Sequence, residues 1–253
     1  MTTKNAAYSA LAACYDRLTK DRDYDGEKTR LLRLLKENGA GSTGADLGCG
    51  SGIFTEALVK AGYRMTAVDL SEEMLTAARG RLGAFPVEFL LQDATDLRLF
   101  HKVDFITFVT DGFNYIKKTK ALSALKKMAA ALKPGGLLYL DLSSEYKLKT
   151  VIGSNLFGED LPDLTYLWFN ELKEDRVEMD LSFFFLGKDG RYDKKEEHHT
   201  QYIYGRDELF DLLSRAGFTV LAAENERGEA FTETSLRLAV LARKKWSGAK
   251  IKA

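Results

Sequence analysis

The 253-residue chain balances 37 Lys+Arg against 37 Asp+Glu, for a formal net charge of zero, and 45% of its residues are hydrophobic. That length suits one large α/β domain, or one domain with an insertion, and supplies apolar residues enough for a sizeable core. The even charge excludes a nucleic-acid binder that relies on a global basic field, and no nucleic-acid partner is expected. No run approaches the ~18 apolar residues of a membrane-crossing helix, so no membrane partner is expected either. The two cysteines, Cys14 and Cys49, read as free thiols in a reducing compartment, which points to the cytoplasm. Leu11-Ala12-Ala13-Cys14 resembles a lipoprotein cleavage box, but the segment before it has a single Lys and a broken apolar run, and it is read as a decoy.

In chain order, Lys4 to Lys20 predicts a helix or helix pair, with Tyr8, Leu11, Ala12, Tyr15 and Leu18 spaced three and four apart. An acidic link from Asp21 to Gly26 follows, and then a helix from about Glu27 to Asn38. Leu31, Leu32, Leu34 and Leu35 lie on its buried side and Gly39 stops it. Residues 1–39 thus form a helical cap before the first strand. A strand ending at Asp46 leads into a helix carrying Phe54, Leu58 and Ala61, closed by Gly62. Arg64–Asp69 is the second strand. Ser71 is an N-cap with Glu72 and Glu73 behind it and Met74, Leu75, Ala78 and Leu82 as the buried stripe. Val87–Leu91 and Val103–Val109 are the third and fourth strands. A helix through Leu122, Leu125, Met128, Ala129 and Leu132 stops at Lys133-Pro134-Gly135-Gly136, and Leu137–Asp141 is the fifth strand.

Between about Asn155 and Gly205 the pattern becomes antiparallel. Tyr166–Leu172, Val177–Leu186 and Arg191–Tyr204 read as strands. In the middle one Val177, Met179, Leu181, Phe183 and Phe185 face one way, and Lys188-Asp189-Gly190 is the hairpin turn. Arg206–Ala216 is then a helix with Leu209, Phe210, Leu212 and Leu213 buried, and Phe218–Ala223 and Leu236–Ala242 close the pattern as strands. The fold class is therefore α/β: a seven-stranded, mostly parallel, doubly wound Rossmann-like sheet with an antiparallel insertion after the fifth strand. The core spans 40–150 and 206–243, and 155–205 is the insertion. Ligands in such sheets bind beyond the strands' carboxyl ends, and Asp46, Asp69, Asp93, Asp111 and Asp141 all fall there.

Gly48, Gly50 and Gly52, between strand and helix, make a nucleotide-sized seat facing free helix N–H groups. The dinucleotide fingerprint needs a third small residue where Ile53 stands, and a pyrophosphate disfavours a carboxylate such as Asp46 at the loop's entry. An amino-acid ammonium suits that acid.

At these residues the chain resembles the class I S-adenosylmethionine (SAM)-dependent methyltransferases. Asp46-Leu47-Gly48-Cys49-Gly50-Ser51-Gly52 is similar to their signature loop, and Ala67-Val68-Asp69-Leu70-Ser71 with Met74-Leu75 to their second motif. Gln92-Asp93-Ala94 is similar to the adenine-side motif, and Leu132-Lys133-Pro134-Gly135-Gly136 to the turn before their fifth strand. Cys14-Tyr15-Asp16, Asp111-Gly112-Phe113-Asn114-Tyr115 and the insertion resemble the YqeM-like bacterial methyltransferases and, more distantly, the glycine and deoxyaminosugar N-methyltransferases. The resemblance implies SAM as methyl donor, with S-adenosylhomocysteine as product. It implies that the loop from Gly48 through Cys49 and Gly50 to Gly52 passes under the methionine part. Asp46 would organise the loop and the ammonium, and Asp69 would take both ribose hydroxyls. Leu70 and Met74 would flank the adenine, Asp93 with Ala94 would meet its amine, and Asp111 would sit beside the reactive end. Cys49 itself reads as a small apolar filler.

Methyl transfer from a sulfonium is an in-line displacement, so alignment, water exclusion and, for a hydroxyl acceptor, a base are what the protein supplies. The candidates are Asp111, Asn114 and Tyr115 after the fourth strand, Tyr15 and Tyr8 from the cap, and one of His198 and His199, which must face opposite ways on a strand. His198 is preferred because the Glu-Glu-His run it ends resembles the family. No Cys/His/Asp cluster has metal-ligand spacing, so no metal is expected. A small-molecule acceptor, amine or hydroxyl, is the leading expectation, with the insertion as acceptor lid or as a homodimer interface. Two alternatives stay open: a non-catalytic SAM-binding protein whose aromatic Phe183-Phe184-Phe185 strand meets a partner, and a tRNA or protein methyltransferase using Lys117, Lys118, Lys120, Lys126 and Lys127 as a basic rim.

Overall fold

A computed structural model describes residues 15–19 and 22–246 of the chain. Of the helix expected over Lys4 to Lys20, the described part is the short α1 (Tyr15–Leu18). Tyr8 and Cys14 lie outside the described residues, and so does the side chain of Tyr15.

Helix α2 (Tyr24–Glu37) starts earlier than the leucine spacing implies, because the Asp23 side chain accepts the Gly26 N–H at 2.9 Å. The acidic stretch that reads as a link is thus the helix's own first turn. Leu31, Leu34 and Leu35 are buried on the sheet, and Leu32 only partly. The chain then alternates as expected through β1 (Thr43–Leu47), α3 (Ile53–Lys60), β2 (Arg64–Asp69), α4 (Glu72–Leu82), β3 (Glu88–Leu91) and β4 (Val103–Phe108). The Ser71 hydroxyl caps α4 by accepting the Met74 N–H at 3.1 Å. Next come α5 (Lys118–Ala131) and β5 (Leu132–Ser143).

After a π-helical turn at Lys147–Ile152 the insertion forms a sheet of its own: β6 (Leu156–Leu161), β7 (Leu164–Leu172), β8 (Arg176–Leu186) and β9 (Tyr192–Tyr202), each antiparallel to the next. It has one strand more than the pattern predicts. β6 pairs only with β7 at the sheet edge, so its side chains carry little apolar alternation. The β8 stripe is buried at Val177, Met179, Leu181 and Phe183, over Leu148 and Ile152. Phe183 is therefore core, and the exposed Phe183-Phe184-Phe185 strand of the partner-binding alternative is not what the fold contains.

Helix α6 (Arg206–Arg215), β10 (Phe218–Glu224) and β11 (Arg237–Lys244) are the last elements among the described residues. The main sheet runs β10-β11-β5-β4-β1-β2-β3, with β11 antiparallel to both its neighbours and the other paired strands parallel. Leu35, Leu58 and Phe105 are fully buried on one face, and Leu125, Met128 and Leu213 on the other. Each such side chain contributes about 1.5–3 kcal/mol of burial. β1 pairs with β2 on one side and β4 on the other, so the strand order reverses between β1 and β4, and a crevice opens beyond their carboxyl ends.

Candidate functional site

That crevice holds a cavity of about 550 Å³, within the range of small-molecule and cofactor sites. Its floor is the loop Gly48–Ser51, one wall is Asp69, Leu70 and Met74, and Asp93, Ala94 and Thr95 close one end. Tyr24, Phe108 and Thr110 line the other side, with Tyr115, His199 and Tyr202 at the far end under the small sheet.

The glycines each answer a different constraint, although all have positive φ: +57° at Gly48, +54° at Gly50 and +85° at Gly52. A Cβ on Gly48 would come within 3.1 Å of the Phe108 ring, and one on Gly52 within 3.0 Å of Leu82 on α4. One on Gly50 would meet nothing within 4 Å and would stand in open space. Gly50 is thus where a ligand can approach bare backbone.

Asp69 braces this loop. Its Oδ2 accepts the Gly50 N–H at 2.8 Å and its Oδ1 the Ser71 N–H at 2.9 Å. Burial pushes its carboxyl above the usual range, against these backbone donors, which favour the charged form. Each oxygen keeps a lone pair for a ligand donor. Leu70 is 71% exposed although apolar, so an apolar ligand face has something to cover. At the cavity's end the Asp93 side chain accepts the Thr95 N–H at 2.7 Å and caps the 3-10 turn Ala94–Asp96.

Other expected site residues prove to be buttresses. Asp46 is fully buried. It accepts from the Thr55 hydroxyl at 2.6 Å and the Thr107 hydroxyl at 2.7 Å, and burial pushes its carboxyl up to about 6. It holds the loop from below and does not line the cavity. Cys49 packs its thiol among Ala67, Leu75 and Ala78, and burial raises its pKa well above that of a free thiol, which suits a filler and not a nucleophile.

Asn114 is fully buried, and its amide clamps Ser143 and Tyr202. Its Nδ2 donates to the Ser143 carbonyl at 3.2 Å and the Tyr202 carbonyl at 3.0 Å, while its Oδ1 accepts the Ser143 N–H at 3.0 Å. Asp111 turns away from the cavity too: the Arg237 guanidinium donates to it at 2.8 Å and the Ser143 hydroxyl at 2.9 Å. Burial alone would raise its carboxyl, but Arg237, Lys147, Arg22 and the Ser143 hydroxyl hold it far below the ordinary range. Arg237 also forks onto Asp141 at 2.9 and 3.0 Å, and Arg22 joins Glu27 at 2.8 Å and Asp141 at 3.2 Å. This buried ionic cluster was invisible in the sequence, because its members are scattered along the chain from Arg22 to Arg237.

Of the histidines, His198 lies on the outer face of β9 at the cavity's rim, between Asp180 (2.7 Å) and Glu178 (3.0 Å). His199 points inward instead. Its Nδ1 lies 3.2 Å from the Tyr115 hydroxyl and its Nε2 3.0 Å from Glu197. The expectation named His198; of the two it is His199 that faces Tyr115. Among the described residues no group of three or more His, Cys, Asp or Glu could hold a metal, and no helix is long and apolar enough to cross a membrane.

Comparison with known proteins gives a family. A methyltransferase domain model matches residues 45–136. Over 245 residues the chain is 33% identical to a Geobacillus (strain WCH70) protein whose methyltransferase name is provisional, covering 94% of this chain and 99% of the relative. YqeM of Bacillus subtilis (strain 168), named on the same provisional footing, is 31% identical over 83% of this chain and 86% of its own. Among solved structures, a SAM-dependent methyltransferase from Clostridium acetobutylicum superposes with a TM-score of 0.86 at 28% identity, over 95% of this chain and all (100%) of that one. The sugar N-methyltransferase KedS8 from Streptoalloteichus shares the fold, with a TM-score of 0.80 at 18% identity over 97% of each chain.

Proposed function

The chain belongs to the SAM-dependent methyltransferases, and we propose that it methylates a small-molecule acceptor, an amine or a hydroxyl, in the cavity between the glycine loop and the antiparallel sheet. The observation that carries this reading is that one cavity joins Gly50 and Asp69, suited to the donor, to Tyr115 and Tyr202, suited to an acceptor.

The described residues fit SAM. The open space over Gly50 lets a chain of methionine size lie on bare backbone. Asp69 has two lone pairs left for a ribose diol, and a carboxylate accepting two hydroxyls makes strong, charge-assisted bonds. Leu70 and Met74 offer apolar surface to a flat ring, and Asp93 with Ala94 lines the same cavity and is assigned to its amine. Asp46 acts through Thr55 and Thr107 to keep the loop in shape. Bound there, SAM supplies a methyl carbon on a sulfonium whose leaving group departs neutral. The remaining work falls to the chain: Tyr24 and Phe108 exclude water, and the β6–β9 insertion acts as the acceptor lid, because β9 brings His199 and Tyr202 to the cavity's far end. That KedS8 is a sugar N-methyltransferase indicates that this fold accommodates acceptors of small size.

Two measurements test the reading. Calorimetry is expected to show S-adenosylhomocysteine binding and NAD not binding. Incubation with methyl-labelled SAM and a cell extract, fractionated by size, is expected to put the label in the small-molecule fraction. Label confined to RNA or protein would overturn the acceptor class.

A further inference from the structure

Glu197 and His199 lie two residues apart on β9 and therefore share a face. That face is the buried one: Glu197 pairs in register with Leu181 and His199 with Met179, both on the apolar stripe of β8. Their side chains are 0% and 2% exposed. Two ionisable groups in such a place are expensive to bury, and apolar residues of similar volume pack there at less cost. Their alignment gives the reason for the placement. Glu197 meets one ring nitrogen at 3.0 Å, and the Tyr115 hydroxyl, on the cavity wall, meets the other at 3.2 Å. The Tyr115 and His199 rings meet edge-on, at an interplanar angle of 71°.

We propose that Glu197, His199 and Tyr115 form a proton relay, so that the acceptor reacts through a group that must shed a proton, a hydroxyl or an ammonium. This rests on the reading of the cavity as a methyl-transfer site. The Glu197 carboxylate only accepts, so His199 carries its ring proton on Nε2 and leaves Nδ1 to accept from Tyr115. A hydroxyl acceptor uses an oxygen electron pair to bond the methyl carbon, whereas an ammonium first gives its proton to the relay and then uses the pair so freed; in both cases the carbon–sulfur electron pair stays on sulfur. The acceptor's proton moves to Tyr115 Oη, and the Tyr115 proton moves to His199 Nδ1. For a hydroxyl the positive charge lost at sulfur reappears on the imidazolium; for an ammonium it reappears on the methylated nitrogen, and the imidazolium holds the charge the ammonium gave up. Glu197 stabilises the imidazolium, and the proton later leaves to water. Tyr115 is the group that touches the acceptor, whereas His199 and Glu197 are positioning residues that act through it.

The test needs no acceptor. The chain has three histidines, so long-range nitrogen-15 NMR at neutral pH, with His101→Gln and His198→Gln for assignment, reads the His199 tautomer directly. The Nε2–H tautomer is expected, and an Nδ1–H tautomer or a resting imidazolium overturns the relay. N-acetylimidazole then probes Tyr115, with its acetylation followed by peptide mass spectrometry. His199→Asn keeps a hydrogen-bond partner for the phenol but removes the base. Acetylation is expected to slow about tenfold or more, in keeping with the scale of positioned bases. An unchanged rate overturns the relay. If His199→Asn fails to fold, the wild-type tautomer decides. Binding of S-adenosylhomocysteine to the wild-type chain reports separately on the cofactor seat, so failure of the relay and failure of the methyl-transfer reading are told apart.

Discussion

Asp69→Asn tests the cofactor seat most directly, because it keeps the shape and changes one atom. The carboxylate offers about four lone-pair positions, and the Gly50 and Ser71 N–H groups occupy two, one on each oxygen. In the variant one oxygen becomes an NH₂ that faces a backbone N–H, which leaves that donor unsatisfied at a cost of about 1–3 kcal/mol of stability. One of the two ribose hydroxyls loses its acceptor, and the other keeps a neutral one in place of a charged one. Together these losses amount to about 2–4 kcal/mol of binding, a rise in Kd for S-adenosylhomocysteine of roughly 30- to 1000-fold. Titration calorimetry reads the Kd, and a thermal melt run in parallel confirms that the variant is folded at the assay temperature. A folded variant whose Kd lies within about threefold of wild type refutes the role given to Asp69.

Gly50→Ala is expected to lower stability by about 1–2 kcal/mol through its φ of +54°, and to weaken S-adenosylhomocysteine binding tenfold or more, because the new methyl stands in the cavity; calorimetry with a melt separates the two. Asp46 has a folded pKa of about 6, above its unfolded value near 3.8, so the native state takes up its proton first. Its contribution is therefore greatest below about pH 4 and is lost as pH rises to about 6, by at most about 3 kcal/mol. Asp46→Asn removes that slope in denaturant titrations across the window, and a slope that persists assigns it to another group. Arg237→Met strips the guanidinium from buried Asp111 and Asp141 and is expected to cost about 3–5 kcal/mol in urea denaturation. Adding Asp141→Leu recovers part of that loss, and a loss under about 1 kcal/mol for the single change contradicts the cluster's role.

What could be read from the sequence was what is local. The glycine spacing, the strand-end Asp69 and the Ser71 cap are decided within a few residues, and the loop from β1 to α4 came out as expected. The first turn of α2 escaped because Asp23 and Asp25 look alike in a linker and in a cap. The side-chain directions of Asp111 and Asn114 escaped for a related reason. A polar residue past a strand end has the same appearance whether it faces a ligand or reaches sideways to a neighbouring strand. Only the fold brings Arg237 to the first and Ser143 to the second. The histidine choice, by contrast, did leave a signal. The hairpin turn at Lys188-Asp189-Gly190 and the apolar stripe through Met179 were both legible. Residues equally far from Asp189 on the two strands pair, which sets His199 opposite Met179 on the buried face.

The ionic cluster also bears on the proposed relay. Thr110 and Asp111 both adopt left-handed backbone angles, φ +55° and +64°, a conformation that costs non-glycine residues energy and persists only where the surroundings enforce it. Arg237 and Ser143 supply that enforcement through the Asp111 side chain, and the turn so held runs directly into Gly112–Tyr115. Asp111 therefore shapes the segment that presents Tyr115 to the cavity. The same guanidinium that anchors it keeps its carboxyl ionised and far below the ordinary range, and a base that weak has no capacity to take a proton from a hydroxyl or an ammonium near neutral pH. In the proposed relay Tyr115 passes its proton to His199 instead. On this reading, the acid after the fourth strand sets the geometry of the site, and the tyrosine a turn later carries the proton.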